Sequence, residues 1–282
     1  RTPDQLPIDI LNEMRQAMIL ANVALYVVLF ALFARLIGMW PGAVAVLFLG
    51  LDPMQIGFTR LLHMDGLSTT CMLVSVVAWS VWLIRRSRGA LLVSAIVGGL
   101  GIATRSVDLA LIFFLAAIVF VDVLMAKRGA VPTMVRAIRQ QVVSLIAWTV
   151  IALTVFVASW PALWVAPLGT LRQLRSGSEG YALNPHEGNV VFRGEVIRAD
   201  PGALFYPIML VIRTTPLTAF GLVVAIVALL LPVHEVYKRL ICHLAAFAVL
   251  YTVAITLSEK KLDRYALPTM GALNLIAVLG SL

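Results

Sequence analysis

Between Thr59 and Thr70 the chain reads TRLLHMDGLSTT, and Arg60, His63 and Asp65 stand together there in a short gap between two apolar runs. Arg60 and His63 are three residues apart, which puts them on one face if the segment is helical. Asp65 stands just ahead of the next apolar run, where an acid caps a helix by accepting from its first amides. Asp52, Arg105, Asp108, Arg213, Lys260, Lys261, Asp263 and Arg264 fall near the ends of other apolar segments. Bases of this kind hold a phosphate through charge-assisted hydrogen bonds, and a carboxylate removes the proton of an attacking hydroxyl. The set predicts group transfer from a lipid phosphate. A solvated interfacial cluster has the same spacing and is commoner, and a lone histidine is more often a packing or capping residue than a ligand.

The elements that must position these side chains are membrane helices. Of 282 residues, 61% are hydrophobic and 13% charged, with a mean hydropathy of +0.97, where a soluble domain carries roughly 25% charge. Apolar runs at 17–37, 42–58, 66–84, 90–104, 107–126, 142–160, 217–232, 240–257 and 265–282 approach the roughly 20 residues needed to cross hydrocarbon as helix. The reading is an integral, multi-pass, all-α bundle of about nine spans, in the plasma membrane if the source is prokaryotic. It divides into N-terminal membrane helices (1–160), a long loop with an interfacial helix (161–216) and C-terminal membrane helices (217–282). Asp52-Pro53 interrupts the second run, since proline removes a backbone donor. In ALFYPIMLVIRTTP, Arg213 is expected to snorkel from a helix lying at the interface.

Charge sets the orientation. One set of alternate short loops holds Arg35, Arg85, Arg86, Arg88, Lys127, Arg128, Arg136, Arg139, Lys238 and Arg239, which is ten bases. The other holds five: Arg60, Arg105, Lys260, Lys261 and Arg264. The first set is therefore expected in the cytoplasm, with the mixed acids and bases, the long loop and the N-terminus outside. An outside N-terminus without a signal peptide predicts a further span upstream, and the apolar end at Leu282 predicts a last helix that continues.

The net charge of +8 is spread over short loops rather than one face, which favours membrane orientation and anionic lipid over nucleic acid as partner. Cys71 and Cys242 lie inside apolar runs, where a buried thiol is expected and a disulfide framework or CxxC metal site is not. No Walker loop, post-strand GxGxxG, HExxH or GxSxG occurs, so energy must come from an activated substrate or a gradient.

LDPMQIGFTRLLHMDGLSTTCM (51–72), GLGIATRS from 99 to 106, VFRGEVIRADPGALFYPIMLVIRTTPL (191–217) and SEKKLDRYALPTMGALNLIA (258–277) keep the order of segments seen in one family. They resemble the dolichyl-phosphate-mannose protein mannosyltransferase-like family of the GT-C class, which includes the lipid A aminoarabinose transferases. The resemblance implies transfer of a sugar, a mannose-like hexose or a relative, from a polyprenyl-phosphate carrier to a hydroxyl on protein or lipid at the outer face, with inversion. It gives Asp65 a catalytic position, orienting the acceptor or a divalent cation. Arg60, Arg105, Lys261 and Arg264 fall at basic positions that would hold the carrier phosphate, with His63 and Arg213 beside them. Arg105 stands where many relatives have lysine. The family's best-known acid lies in the first outer loop, and Asp4, Asp9 and Glu13 do not resemble its context. A transporter or lipid flippase, and a non-catalytic membrane subunit, are the competing expectations.

Overall fold

A computed structural model describes residues 8–125, 131–183, 190–197, 200–232 and 234–282, without the side chains of 9, 131–134, 178–179 and 181–183. Asp4, Lys127 and Arg128 lie outside the described residues. The helices run α1 Ile8–Ile37, α2 Met39–Gly50, α3 Pro53–Arg60, α4 Met64–Arg85, α5 Arg88–Thr104, α6 Leu111–Met125, α7 Val131–Ser159, α8 Ala162–Val165, α9 Pro167–Leu183, α10 Phe205–Arg213, α11 Pro216–Leu230, α12 Glu235–Thr256 and α13 Leu267–Ser281. Short 3-10 turns, Ser106–Ala110 and Asp263–Ala266, lead into α6 and α13. The strands β1 Val190–Phe192 and β2 Glu195–Ile197 pair antiparallel, Phe192 opposite Glu195. Arg193 (φ 57°) and Gly194 (φ 85°) close them, the double positive φ that a tight hairpin turn requires.

The centre of the bundle is α4. Of its apolar stretch 89% is inside the protein, against 22% for α1 and for α7. Residues Met72, Leu73, Val74, Val76, Val77, Ala78 and Trp79 are fully buried, and a helix apolar on every side belongs in a core. The helices α1, α5, α6, α12 and α13 pack around it. Elsewhere small residues bring helices close, as in many membrane bundles. A Cβ on Gly221 would lie 2.7 Å from that of Ala277, and one on Gly280 would lie 2.3 Å from the Cα of Ala225, so α11 and α13 are nearly in backbone contact.

Among the described residues the nine predicted apolar segments are largely helical, and the number that spans a membrane is approximate. Among the described residues five helices are individually long and apolar enough to cross a membrane, or seven if the bent pairs α2–α3 and α10–α11 each count once. The first bend, 67°, sits at Asp52-Pro53. Asp52 Oδ1 accepts from the amides of Met54 and Gln55, each at 3.0 Å, and starts a new helix with proline in its first turn. At the second, α10 meets α11 at 107°. The inner side of α10 buries Phe205, Tyr206 and Met209 while Val211 and Ile212 stay exposed. It is thus a short helix set across the direction of α11, with apolar residues on its exposed side as well.

Candidate functional site

Four side chains from three stretches of the chain, His63 and Asp65, Arg105 and Arg264, converge at the start of α4. His63, with extended backbone angles, is the N-cap. The sequence expectation gave that role to Asp65, which instead lies in the first helical turn with its carboxylate turned inward, 1% exposed. The histidine escapes a search for the usual Ser, Thr, Asp and Asn caps. His63 Nδ1 lies 3.3 Å from the Asp65 amide and 2.8 Å from Asp65 Oδ2. One nitrogen cannot serve both: protonated, it donates to the carboxylate over the shorter distance.

Asp65 also receives Arg105 Nη1 on Oδ1, while Arg264 Nε stands 3.2 Å from Oδ2. Both guanidinium groups lean on the ring of Tyr265, at 5.3 and 5.6 Å from its centre, a contact that favours arginine over lysine. Gly66 allows this convergence, because a Cβ there would sit 2.7 Å from the carbonyl oxygen of Phe58 where α3 crosses α4. Behind Arg105, Asp108 is buried, with Ser68 Oγ 2.8 and 2.9 Å from its two oxygens.

In front of this group opens a cavity of about 630 Å³. Its walls are largely apolar: Phe114 on α6, Leu174 on α9, Tyr251 and Ile255 on α12, and Trp160 after α7. Where α12 ends and α6 begins, the lining changes to His63, Arg105, Ser258, Lys260 and Tyr265. Among the described residues no carboxylate lines it; Asp65 and Asp108 lie behind the basic layer.

His63, Asp65, Arg105 and Arg264 are therefore one group. The other three predicted residues stand apart from it. Arg60 is exposed at the end of α3. Arg213 pairs with Asp263 at 2.8 Å, both partly exposed, beside a second cavity under the β-hairpin. Lys261 is 2% exposed and turned to Asp200 Oδ1 at 2.6 Å and Ser258 O at 2.7 Å, while its neighbour Lys260 faces the main cavity. Sequence reasoning did not single out Tyr265, although it sits inside the DRYALP stretch. The Asp65 carboxylate has two guanidinium groups within ion-pair reach. Among the described residues no three His, Cys, Asp or Glu gather to hold a metal.

The Lys261–Asp200 pair ties the long loop to the segment carrying Lys260 and Arg264. Burial acts to raise the pKa of Asp200, but hydrogen bonds from Lys261 and the Gly202 amide, with the charge of Lys261, hold it below its ordinary value. A carboxyl depressed on folding stabilises fully above its unfolded pKa of about 3.9 and loses that contribution as pH falls through the folded value. Asp200→Asn is thus expected to lower thermal stability near pH 7, the gap from wild type closing below about pH 4. A gap independent of pH would contradict this role.

The fold matches two crystal structures of ArnT from Cupriavidus metallidurans, one in the apo state and one bound to undecaprenyl phosphate. The TM-score is 0.60 in both cases, with 16% and 15% identity over 94% and 95% of this chain. The matched part is 44% and 45% of the ArnT chain, so this chain spans less than half of its length. No protein-family model matches, and no curated protein matches in sequence. The likeness establishes the fold, an ArnT-like helical membrane bundle of the kind expected from the sequence.

Proposed function

We propose that the protein is a membrane glycosyltransferase that moves a sugar from a polyprenyl-phosphate carrier to a hydroxyl on protein or lipid at the extracytoplasmic face. The observation that carries this reading is the apolar cavity of about 630 Å³ that ends at Arg105, His63 and Lys260. An apolar chain with a phosphate at one end needs such a surface. The binding of undecaprenyl phosphate by ArnT, whose fold this chain shares, supports the same ligand class, as do the ordered motifs around Asp65 and Arg264.

In the reaction, the acceptor oxygen forms a bond to the anomeric carbon as the bond from that carbon to the phosphate oxygen breaks. The hydroxyl proton passes to a base, and the carrier leaves as a phosphate monoester. Arg105 and Lys260, which line the cavity, stabilise the charge that develops on the departing phosphate, which is where preorganised donors contribute most, with the charge of Arg264 behind them at Asp65. Asp65 acts by accepting from Arg105 on Oδ1 and pairing with the charge of Arg264 at Oδ2.

The test is a labelled polyprenyl-phosphate hexose with hydroxyl acceptors and the full-length protein in liposomes. Release of one carrier phosphate per sugar transferred is expected. Carrier or solute flux with no sugar transfer would instead establish a transporter.

A further inference from the structure

We propose that Asp108 is a positioning residue of the transfer site: tied to Ser68, it fixes the turn that aims Arg105 into the cavity. This rests on the transfer reading above. Asp108 is one of the charged residues near the ends of the apolar segments.

Two ties hold the Ser106–Ala110 turn to α4. Asp65 and Ser68 are three apart on α4 and so share a face. Arg105 and Asp108 are also three apart, and the Asp108 amide donates to the Arg105 carbonyl at 3.0 Å to begin the turn; a 3-10 turn stacks i over i+3. The spacings match, so Arg105 meets Asp65 while Asp108 meets Ser68. With the first tie alone, the turn could pivot about the Asp65 contact. The second removes that freedom.

Asp108 is otherwise an expensive choice. It is 1% exposed and absent from the cavity lining, so it does not touch substrate, and burying a carboxylate is costly. Space for it exists only because residue 101 is glycine: a Cβ there would lie 2.9 Å from Asp108 Oδ2 and 3.2 Å from the Cβ of Cys71. Arg105, by contrast, keeps 20% of its side chain exposed and faces the cavity. A misplacement of about 1 Å at such a group can cost on the order of 100-fold.

A bond that merely glues α4 to the turn would affect every property through stability alone. Positioning predicts instead that Asp108 matters only while Arg105 is present. The experiment measures undecaprenyl phosphate binding by the full chain in nanodiscs, with Asp108→Ala, Asp108→Asn and Ser68→Ala each placed on wild-type and Arg105→Gln backgrounds, and records thermal unfolding of each.

Asp108→Ala and Ser68→Ala should weaken binding about tenfold with Arg105 present, the low end of what outer partners of a binding group contribute, and less than about twofold without it. Asp108→Asn, whose amide oxygen still accepts from Ser68, should recover most of the affinity. Ser68→Ala carries the same cycle if Asp108→Ala does not fold. Equal losses on both backgrounds, or undiminished binding by Ser68→Ala, would overturn the proposal and leave the carrier reading standing. A wild-type chain that does not bind undecaprenyl phosphate would overturn both.

Discussion

Arg105→Gln is expected to reduce sugar transfer by roughly 10²- to 10³-fold, the usual cost of removing one preorganised donor from developing negative charge. Two effects combine. The cavity loses the cation at the join of its apolar and polar walls, and Asp65, 1% exposed, loses the partner on Oδ1. Arg264 and His63 remain near Oδ2, so the carboxylate is not stranded and the fold should persist. Arg105→Lys separates charge from shape. The ammonium restores the positive charge but neither the flat contact with Tyr265 nor the donor fork, so intermediate activity is expected. Initial rates of carrier-phosphate release, normalised to folded protein, measure both. Wild-type rates in Arg105→Gln would remove this residue from the site.

The largest effect on stability is expected from Asp122→Ala, at the other end of the bundle. Asp122 on α6 is 3% exposed and accepts from Arg239 Nε at 3.0 Å, from Arg239 Nη2 and from Gln141 Nε2 at 3.0 Å, with His243 Nε2 at 3.2 Å. Arg239 also reaches the Leu83 carbonyl at 3.3 Å, so one carboxylate joins α4, α6, α7 and α12. Its removal leaves a guanidinium, 27% exposed, without its counter-charge, which costs up to about 3 kcal/mol, the low end for a buried pair. Replacing three members together, Asp122→Leu with Arg239→Met and His243→Leu, should recover most of the loss, since apolar replacement of a whole buried pair is often neutral. Thermal unfolding in one detergent reads both variants. Asp122 lies 17 residues beyond Arg105, about 25 Å along a helix, so transfer per folded molecule should be unchanged.

The helices were legible because hydropathy marks them directly, and the α2–α3 break because Asp-Pro carries both a cap and a missing donor. That α4 is the buried helix was written less openly. Its Ser68, Thr69, Thr70, Ser75 and Ser80, all buried, are polar groups that lipid would not satisfy, and they distinguish it from α6 and α11. That Asp65, Arg105 and Arg264 come together was expected from motif order alone. The choice between Lys260 and Lys261 was not, because both lie in a non-helical stretch where no period says which way a side chain turns. Asp200, 61 residues before Lys261, draws that side chain to itself while Lys260 lines the cavity. The role of Asp108 depends on Ser68 and Gly101, contacts that no local pattern announces.

The most direct measurement is retention of undecaprenyl phosphate by the purified full chain, read by native mass spectrometry for wild type, Arg105→Gln and Arg213→Gln. A one-to-one complex is expected to survive in Arg213→Gln, since Arg213 lines the hairpin cavity, and to be weakened severalfold or more but still measurable in Arg105→Gln, where Lys260 and His63 still line the main cavity. Undiminished retention by Arg105→Gln with loss in Arg213→Gln would contradict this and move the carrier phosphate to the other cavity.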